Sequence, residues 1–285
     1  METLWSVRRP VRDLRPGDHA WLAYACEDEQ RHVAGAFVRD GLLAREKVIY
    51  LAGSVPAVVP GVPPETPAGL LTVLPAGEAG GRRFDPPAVA RTLAAEIARA
   101  ERQGFRAIRV AADMTWALRG PGGLDPLLDF ERHLERLVPP STHITAVCQL
   151  DRRRCRRAEL AALRAGHSVL AIPDPEFEDA VLRIVRTFRP PGLALTGELD
   201  ASRHAVLDQA LASVISCSGT GEVHLDLSGL GFIDLGAINL LADVAGRRAA
   251  PGRLVLDRVS PQLRAVMETV GWSMLPGLRL GEPPP

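Results

Sequence analysis

The sequence predicts an α/β protein with two domains, the first built on a mostly parallel sheet with helices on both faces. Apolar segments of strand length alternate with segments of helical spacing as far as Ile172. The run Lys47–Ala52 is apolar almost throughout, as expected of a parallel strand covered on both faces. A shorter alternating set follows Ile172–Glu178, a stretch with two prolines and acidic residues. We therefore predict a domain boundary in that stretch.

In the first half, strands are expected where short apolar runs are bounded by turn residues. These are His19–Ala25, Lys47–Ala52, Leu70–Leu74, Phe105–Ala111, His143–Leu150 and Ser168–Ile172. Helices are expected where apolar residues recur every three or four positions. These are Asp28–Leu43, a segment from Asp85 to about Gln103, Leu124–Leu137 and Glu159–Arg164. Asp85 is a suitable N-cap because Pro86 follows it in the first turn.

The second half predicts a smaller sheet with its own helices. The expected strands are Ala180–Thr187, Leu193–Thr196, Val223–Leu227 and Leu254–Asp257. The expected helices are Ser202–Ile215, Leu235–Arg248 and Pro261–Val270. Between them, Ser228–Asp234 contains two glycines and predicts a tight turn. Asp234 lies where a helix N-cap would lie, with its carboxylate able to accept from free backbone N–H groups.

Composition limits the classes of function. The 285 residues are 46% hydrophobic and 24% charged, typical of a globular protein. A formal net charge of zero argues against a general nucleic-acid binder. There is no apolar run of the roughly 18–20 residues that a bilayer-spanning helix needs, and no signal-peptide core, so we expect a cytoplasmic protein. Lys47 is the only lysine, a bias typical of a GC-rich genome, with actinobacteria the first expectation.

The four cysteines form no CxxC pair, and we expect them to be reduced. His143, Cys148 and Cys155 are close in sequence, but their spacing matches no standard zinc pattern. Cys148 lies on an apolar strand, so buried thiols are the favoured interpretation. We therefore expect no metal and no cofactor. The basic run at residues 152–157 is interpreted as a solvated face, or as a contact for an acidic part of the same chain, rather than as a nucleic-acid site.

Three pieces of the second half occur in the order of a known family. They are LALTGELDASR (193–203), DLSG with FID (226–229 and 232–234), and RLVLDRVSPQLRAVMETVGW (253–272). Together they resemble the STAS domain of anti-sigma factor antagonists, and the predicted domain spans 179–280. The resemblance implies a surface that meets an anti-sigma factor or a kinase-like partner. The residues assigned to it are Asp200, Ser202, Asp234, Leu235, Gly236 and Ile238.

Leu235 departs from the family pattern. In STAS domains of this kind the residue after the matching Asp is usually a Ser or Thr that a partner kinase phosphorylates. Leucine has no hydroxyl, so this control is predicted to be absent. Two interpretations remain: a constitutive partner-binding domain, which we favour, or a structural or dimerising module.

The first half also resembles a known family, over residues 10–173. The matching pieces are RPGDHAWLAY (15–24), DGLLAREKVIYLAG (40–53), GRRFDP (81–86), ADMTWALRG (112–120) and AVCQLDRRR (146–154). They resemble the MEDS (methanogen/methylotroph, DcmR sensory) domain. The resemblance implies a RecA/KaiC-like sheet and the sensing of a small ligand.

Ligands of open α/β sheets bind at the carboxyl ends of the strands. We therefore predict that polar and aromatic residues on or near the predicted strands converge on one ligand site. They are His19, Tyr24, Asp113, Thr115, Trp116, Gln149 and Asp151. Alternatively, Trp116 packs a helix against the sheet, and the two aspartates cap helices.

The domain order predicts a non-enzymatic signalling regulator. The first domain would sense a small ligand or protein, and the second would bind an anti-sigma factor or kinase-like regulator of sigma-dependent transcription. The signal would pass through a linker at Asp174–Glu178. One alternative is a divergent ATPase, against which the missing GxxxxGK[ST] loop argues. Another is a scaffold or homodimer formed through STAS–STAS contacts.

Overall fold

The computed structural model describes residues 6–53, 57–75, 84–119, 122–219, 221–247 and 252–281. Two compact units divide the chain, Met1–Pro173 and Asp174–Pro285. Residues 81–83 of the GRRFDP motif and Gly120 of the ADMTWALRG motif lie outside the described residues. Within the described residues, no helix combines the length and the apolarity that crossing a bilayer requires.

The first unit is a seven-stranded sheet in which every pair of neighbours is parallel. Its strands are β1 (Val7–Pro10), β2 (His19–Tyr24), β3 (Lys47–Ala52), β4 (Leu71–Pro75), β5 (Ile108–Asp113), β6 (Ile144–Asp151) and β7 (Val169–Ile172). They lie in the order β1-β7-β2-β6-β5-β3-β4. The predicted α/β class is confirmed.

In the described part of the first unit, four α-helices cover the two faces of this sheet. They are α1 (Glu27–Leu43), α2 (Pro86–Arg102), α3 (Leu124–Leu137) and α4 (Arg157–Ala165). Apolar residues of α1 pack in one core with alternate residues of the strands, and those of α2, α3 and α4 pack in another. Asp85 caps α2, since its Oδ1 accepts from Ala88 N at 3.0 Å, as predicted.

Two strands in the first unit differ from the prediction by more than one residue. β1 was not predicted, because two arginines interrupt its apolar pattern, yet it pairs with β7 from Val7 to Pro10. β5 begins at Ile108 rather than Phe105. The backbone N–H of Phe105 instead donates to Ala100 O at 3.2 Å and closes the end of α2. The strand then extends to Asp113, which reaches the carboxyl edge of the sheet.

The second unit is a six-stranded mixed sheet in the order β13-β12-β11-β10-β9-β8. Its strands are β8 (Pro175–Glu178), β9 (Leu182–Phe188), β10 (Pro191–Leu199), β11 (Val223–Ile233), β12 (Leu254–Asp257) and β13 (Leu278–Leu280). Strands β10 to β13 are parallel, while β8 and β9 are antiparallel additions at one edge. The helices are α5 (His204–Ser218), α6 (Leu235–Arg247) and α7 (Pro261–Thr269).

The predicted turn Ser228–Asp234 is wrong. β11 continues to Ile233 beside β10, with Leu199 opposite Ile233 and two irregularities in register on the way. Gly229 serves a close approach between the strands rather than a turn, since a Cβ there would lie 2.7 Å from Thr196 Oγ1. The strand therefore delivers Asp234 directly to the start of α6.

The predicted linker Asp174–Glu178 is also wrong. Pro175–Glu178 forms β8, an edge strand paired antiparallel to β9. Proline is tolerated there because it is the first residue of an edge strand and has no ladder bond to donate. These residues belong to the second unit, and no described residue after Asp174 is left over to form a separate linker segment.

Candidate functional site

A cleft of about 310 Å³ opens at the carboxyl ends of the first unit's strands. β2, β5 and β6 end there with Tyr24, Asp113 and Asp151. Thr115 and Trp116, which follow β5, also line the cleft, so five of the seven residues assigned to a ligand site lie together. The remaining polar lining residues are Glu27, Gln30, Tyr50, Arg153 and Arg154. The volume of the cleft falls in the range of small-molecule binding sites.

Gln149 lies behind the cleft rather than on its surface. It is fully buried, and its Oε1 accepts from Gln30 Nε2 at 2.9 Å. The same Gln30 nitrogen lies 3.3 Å from Asp113 Oδ2, and Gln149 Nε2 donates to Tyr50 OH at 3.4 Å. Gln149 therefore fixes the orientation of side chains that do line the cleft.

Both tyrosines of the cleft are neutral hydrogen-bonding groups near pH 7. Burial, with the charge of Asp113, raises the pKa of Tyr24 to about 12. Burial raises the pKa of Tyr50 as well. Asp151 behaves differently, because hydrogen bonds from Arg153 lower its pKa and keep it ionised. The cleft thus offers phenols, carboxylates and guanidinium groups to a polar ligand.

Trp116 is held by the protein on two sides. Its Nε1 donates to Asp113 O at 2.8 Å, and its ring meets the ring of Phe84 edge-on with centroids 5.0 Å apart. A third contact is with Gly53, where an added Cβ would lie 2.5 Å from Trp116 Cγ. The packing interpretation of Trp116 therefore applies to part of its ring, and the rest lines the cleft.

We expect Gly53→Ala to displace Trp116 and to destabilise the first unit by about 1–3 kcal/mol, the usual cost of overpacking. The indole N–H resonance of Trp116 should shift as its bond to Asp113 O is lost, and urea unfolding should report the stability. Gly166→Ala is the matched control, because its Cβ would meet only an ordinary contact at 3.5 Å. An unmoved Trp116 resonance in Gly53→Ala would contradict this packing.

The assignment of His19 to the same ligand site is wrong. His19 begins β2 and Tyr24 ends it, and an odd separation along a strand places them on opposite faces. His19 instead approaches Glu131, Glu135 and Cys148. Its Nδ1 lies 2.9 Å from Glu135 Oε2, and its Nε2 lies 3.2 Å from both Cys148 Sγ and Glu131 Oε2.

A buried cluster of four side chains was not predicted from the sequence. It consists of His19, Glu131, Cys148 and His167, whose potential ligand atoms all lie within 4.8 Å of one another. We call this set the buried His/Cys/Glu cluster. The members come from β2, α3, β6 and the segment before β7, so no local spacing identifies them.

His143 and Cys155, the candidate metal ligands near Cys148 in sequence, contact residues outside the buried cluster. His143 Nε2 contacts Glu101 Oε1 at 2.8 Å, and Cys155 Sγ donates to Asp151 O at 3.1 Å. Of the three, only Cys148 belongs to the buried cluster. Glu131 is ionised there: burial opposes its charge, but His167 and His19 lower its pKa to about 2.

In the second unit, Asp234 caps α6 as predicted. Its Oδ1 accepts from Ala237 N at 2.7 Å and lies 2.8 Å from His204 Nε2. The backbone bond and His204 together lower the pKa of Asp234, against an opposing effect of desolvation. Leu235 begins the helix with 61% of its surface exposed, and Phe232, at the end of β11, is 50% exposed. Phe232 was not assigned to this surface, because it was read as part of a turn.

The other residues assigned to the partner surface are Asp200, Ser202, Gly236 and Ile238, and the last of these differs from the rest. Asp200 Oδ1 accepts from Ser202 N at 3.1 Å and from Ser202 Oγ at 2.6 Å, and its charge acts on Asp234. Gly236 lies against His204, where a Cβ would come within 2.5 Å of Cε1. Ile238 is buried in the core of the second unit, so it cannot contact a partner at this surface.

The contacts of Asp179 in the second unit are expected to be sensitive to acid. Bonds from Leu182 N, Arg203 and Val181 N lower its pKa to about 2, below the ordinary value of about 3.9. The pKa of Asp179 is lower in the folded state than in the unfolded state. Its contribution to the free energy of unfolding is therefore complete above about pH 4 and is lost as the pH falls toward 2. We expect Asp179→Asn to unfold at less acidic pH than the wild type.

The pH of unfolding is measured in an acid titration monitored by circular dichroism and by hydrogen exchange resolved for each unit. Asp243→Asn, on the exposed side of α6, is the control and should titrate as the wild type does. Identical acid transitions for Asp179→Asn and Asp243→Asn would contradict the assignment.

A parallel sheet with a carboxyl-edge cleft precedes a small mixed sheet with an exposed helix start, and the two family models that match these units fit a signalling regulator. The chain belongs to the MEDS (methanogen/methylotroph, DcmR sensory) family, whose model matches residues 18–168, more than half of its length. A model described as "Mlab, STAS domain" matches residues 182–278. STAS domains are usually non-enzymatic regulators that interact with anti-sigma factors or kinases. No curated protein matches the chain.

Proposed function

We propose that this protein is a non-enzymatic regulator whose second unit binds an anti-sigma factor or a related kinase-like protein and so controls sigma-factor-dependent transcription. The first unit senses a small ligand or a protein. The observation that carries the proposal is the exposed Leu235 at the first position of α6, beside the ordered carboxylate of Asp234. Exposed apolar side chains support protein contact at this surface, and the position that STAS domains usually phosphorylate has no hydroxyl here.

Phe232 and Leu235 support a docking surface of this kind. A residue with a large exposed apolar side chain precedes Asp234, and another follows it. Asp234 is engaged by Ala237 N and His204, so its position is fixed before any partner arrives. Aromatic residues are enriched in protein–protein interfaces, and a support that is ordered in advance lowers the entropic cost of binding.

The missing hydroxyl supports binding without phosphate control. A phosphate at this helix start would add between one and a half and two negative charges next to Asp234 and Asp200. Those charges would repel an acidic partner surface and add hydration to an apolar contact. Leucine at position 235 cannot be phosphorylated. We therefore assign the regulatory signal to the first unit, where the cleft offers hydrogen-bonding groups to a small polar ligand.

We expect Phe232→Ala and Leu235→Asp to weaken partner binding by at least tenfold, which corresponds to about 1.4 kcal/mol. The measurement is titration calorimetry of the full-length protein against each purified anti-sigma factor and kinase-like regulator of its host. Val266→Asp is the matched control, because Val266 is an exposed apolar residue of the same unit on α7. A sigma-dependent reporter in the host follows the same variants.

Two results would overturn the proposal. One is a partner that binds the wild type and both variants with equal affinity. The other is ATP turnover by the wild-type protein with Mg²⁺ alone, since that would make the divergent-ATPase interpretation correct.

A further inference from the structure

The buried His/Cys/Glu cluster lies in the interior of the first unit and shares no residue with the lining of the cleft. His19 and Cys148 stand on neighbouring strands, β2 and β6, while Glu131 comes from α3. His167 completes the set from the segment between α4 and β7. All four side chains are buried. Two imidazoles, a thiol and a carboxylate are an unusual group to find together in an apolar core.

Both imidazoles turn the same nitrogen into the cluster. His167 Nδ1 donates to Leu163 O at 2.8 Å, which leaves Nε2 facing inward. His19 Nδ1 lies 2.9 Å from Glu135 Oε2, to which it donates, and this again leaves Nε2 facing inward. A histidine that ligates a metal typically donates its other ring N–H to a carbonyl or carboxylate in this way.

Several buried polar atoms of the cluster have no hydrogen bond within the described residues. They are both carboxylate oxygens of Glu131 and Nε2 of His167. Glu131 Oε2 lies at ion-pair distances from both imidazoles, 3.2 Å from His19 Nε2 and 3.3 Å from His167 Nε2. Buried polar atoms without partners are costly, so such a group calls for an explanation. A cation among them would bind His167 Nε2 and one carboxylate oxygen of Glu131 at once.

The distances fit a four-coordinate metal. A tetrahedron with metal–ligand bonds of about 2.0–2.3 Å, as zinc makes with nitrogen, oxygen and sulfur, has edges of roughly 3.3–3.8 Å. His19 Nε2 lies 3.2 Å from both Cys148 Sγ and Glu131 Oε2, and Glu131 Oε2 lies 3.3 Å from His167 Nε2. Every pair of ligand atoms lies within 4.8 Å. Small shifts of the side chains therefore complete the geometry.

We propose that His19, Glu131, Cys148 and His167 bind one Zn²⁺ ion in a closed structural site. Thiolate and carboxylate each carry one negative charge and the imidazoles are neutral, so a divalent cation makes the buried group neutral overall. Four protein ligands leave no open position, which assigns the ion a structural role. It ties α3 to β2, β6 and the start of β7. Because such ions bind the folded state only, zinc stabilises the first unit.

The test uses the full-length protein, purified without a chelator or a histidine tag. We expect elemental analysis to find one zinc per chain. We also expect cobalt substitution to give tetrahedral d–d bands and a thiolate-to-cobalt charge-transfer band. Cys148→Ser should lose the charge-transfer band, and Cys155→Ser, in a half-buried thiol outside the cluster, should keep it.

A second variant tests the site without removing a ligand. Glu135→Gln changes only the acceptor for His19 Nδ1, and we expect zinc affinity to fall roughly 10–100-fold in a competition with a chromophoric chelator. Glu101→Gln is its matched control, because Glu101 contacts His143 in a similar pair outside the cluster. Equal zinc affinity for the two variants would count against the site.

The decisive measurement is on the wild type and does not depend on whether a variant folds. If the folded wild-type protein holds no metal as purified and gains no thiolate-to-cobalt band, the proposal is wrong. The cluster is then an internal network of two imidazoles and a thiol around Glu131.

Discussion

Truncating Phe130 to alanine is expected to destabilise the first unit by about 3–5 kcal/mol. Phe130 is fully buried on α3, with its ring centroid 6.1 Å from that of Phe84. Phe84 in turn contacts Trp116 at the cleft. Removing the ring leaves a cavity that a closely packed core fills only in part. It also loosens the helix that carries Glu131 into the buried His/Cys/Glu cluster.

Hydrogen exchange of the full chain in increasing urea separates the two units. In Phe130→Ala the first unit should lose protection at lower urea, while the second unit should unfold as it does in the wild type. Phe130→Leu, which keeps most of the volume, is the control and should cost clearly less. Equal loss of protection in both units would contradict the existence of a separate core around Phe130.

Replacing Asp234 by alanine is expected to destabilise the start of α6 by about 1–2 kcal/mol. The substitution removes the acceptor for Ala237 N at 2.7 Å and the partner of His204 Nε2 at 2.8 Å. The first turn of α6 would then exchange its amide protons faster. Leu235 would lose its fixed position, so partner binding should weaken as well.

Asp234→Asn separates the cap from the charge. An asparagine oxygen still accepts from Ala237 N, and asparagine is as good an N-cap as aspartate. We therefore expect Asp234→Asn to keep most of the protection of α6, measured by hydrogen exchange of its first turn. If Asp234→Asn and Asp234→Ala were equally destabilised, the effect would come from the lost charge and the cap assignment would be wrong.

Local signals in the sequence predicted much of the fold. Lys47–Ala52, Leu124–Leu137 and Leu254–Asp257 have the predicted bounds, because their apolar patterns coincide with their hydrogen bonding. The caps at Asp85 and Asp234 were also predictable, since capping depends on residues within one turn. Residues at strand ends reached the cleft for a similar reason: parallel strands bring their carboxyl ends to one edge.

Features that depend on distant partners were not predictable in the same way. β11 runs through Ser228–Ile233 because β10 offers a matching edge, although the glycines in that segment are typical of a turn. β8 forms in a proline-containing stretch because β9 lies beside it. The buried cluster assembles residues from four segments of the first unit, and none of its pairs has a spacing that marks a metal site.

The central claim is that the Phe232/Leu235 surface binds its partner without phosphate control. The most direct measurement is the affinity of the full-length protein for a kinase-like partner before and after incubation of the two with ATP and Mg²⁺. The wild type should keep its affinity and gain no phosphate, whereas Leu235→Ser should be phosphorylated and lose affinity. An ATP-dependent fall in affinity of the wild type, with phosphate incorporated at another residue, would contradict the claim.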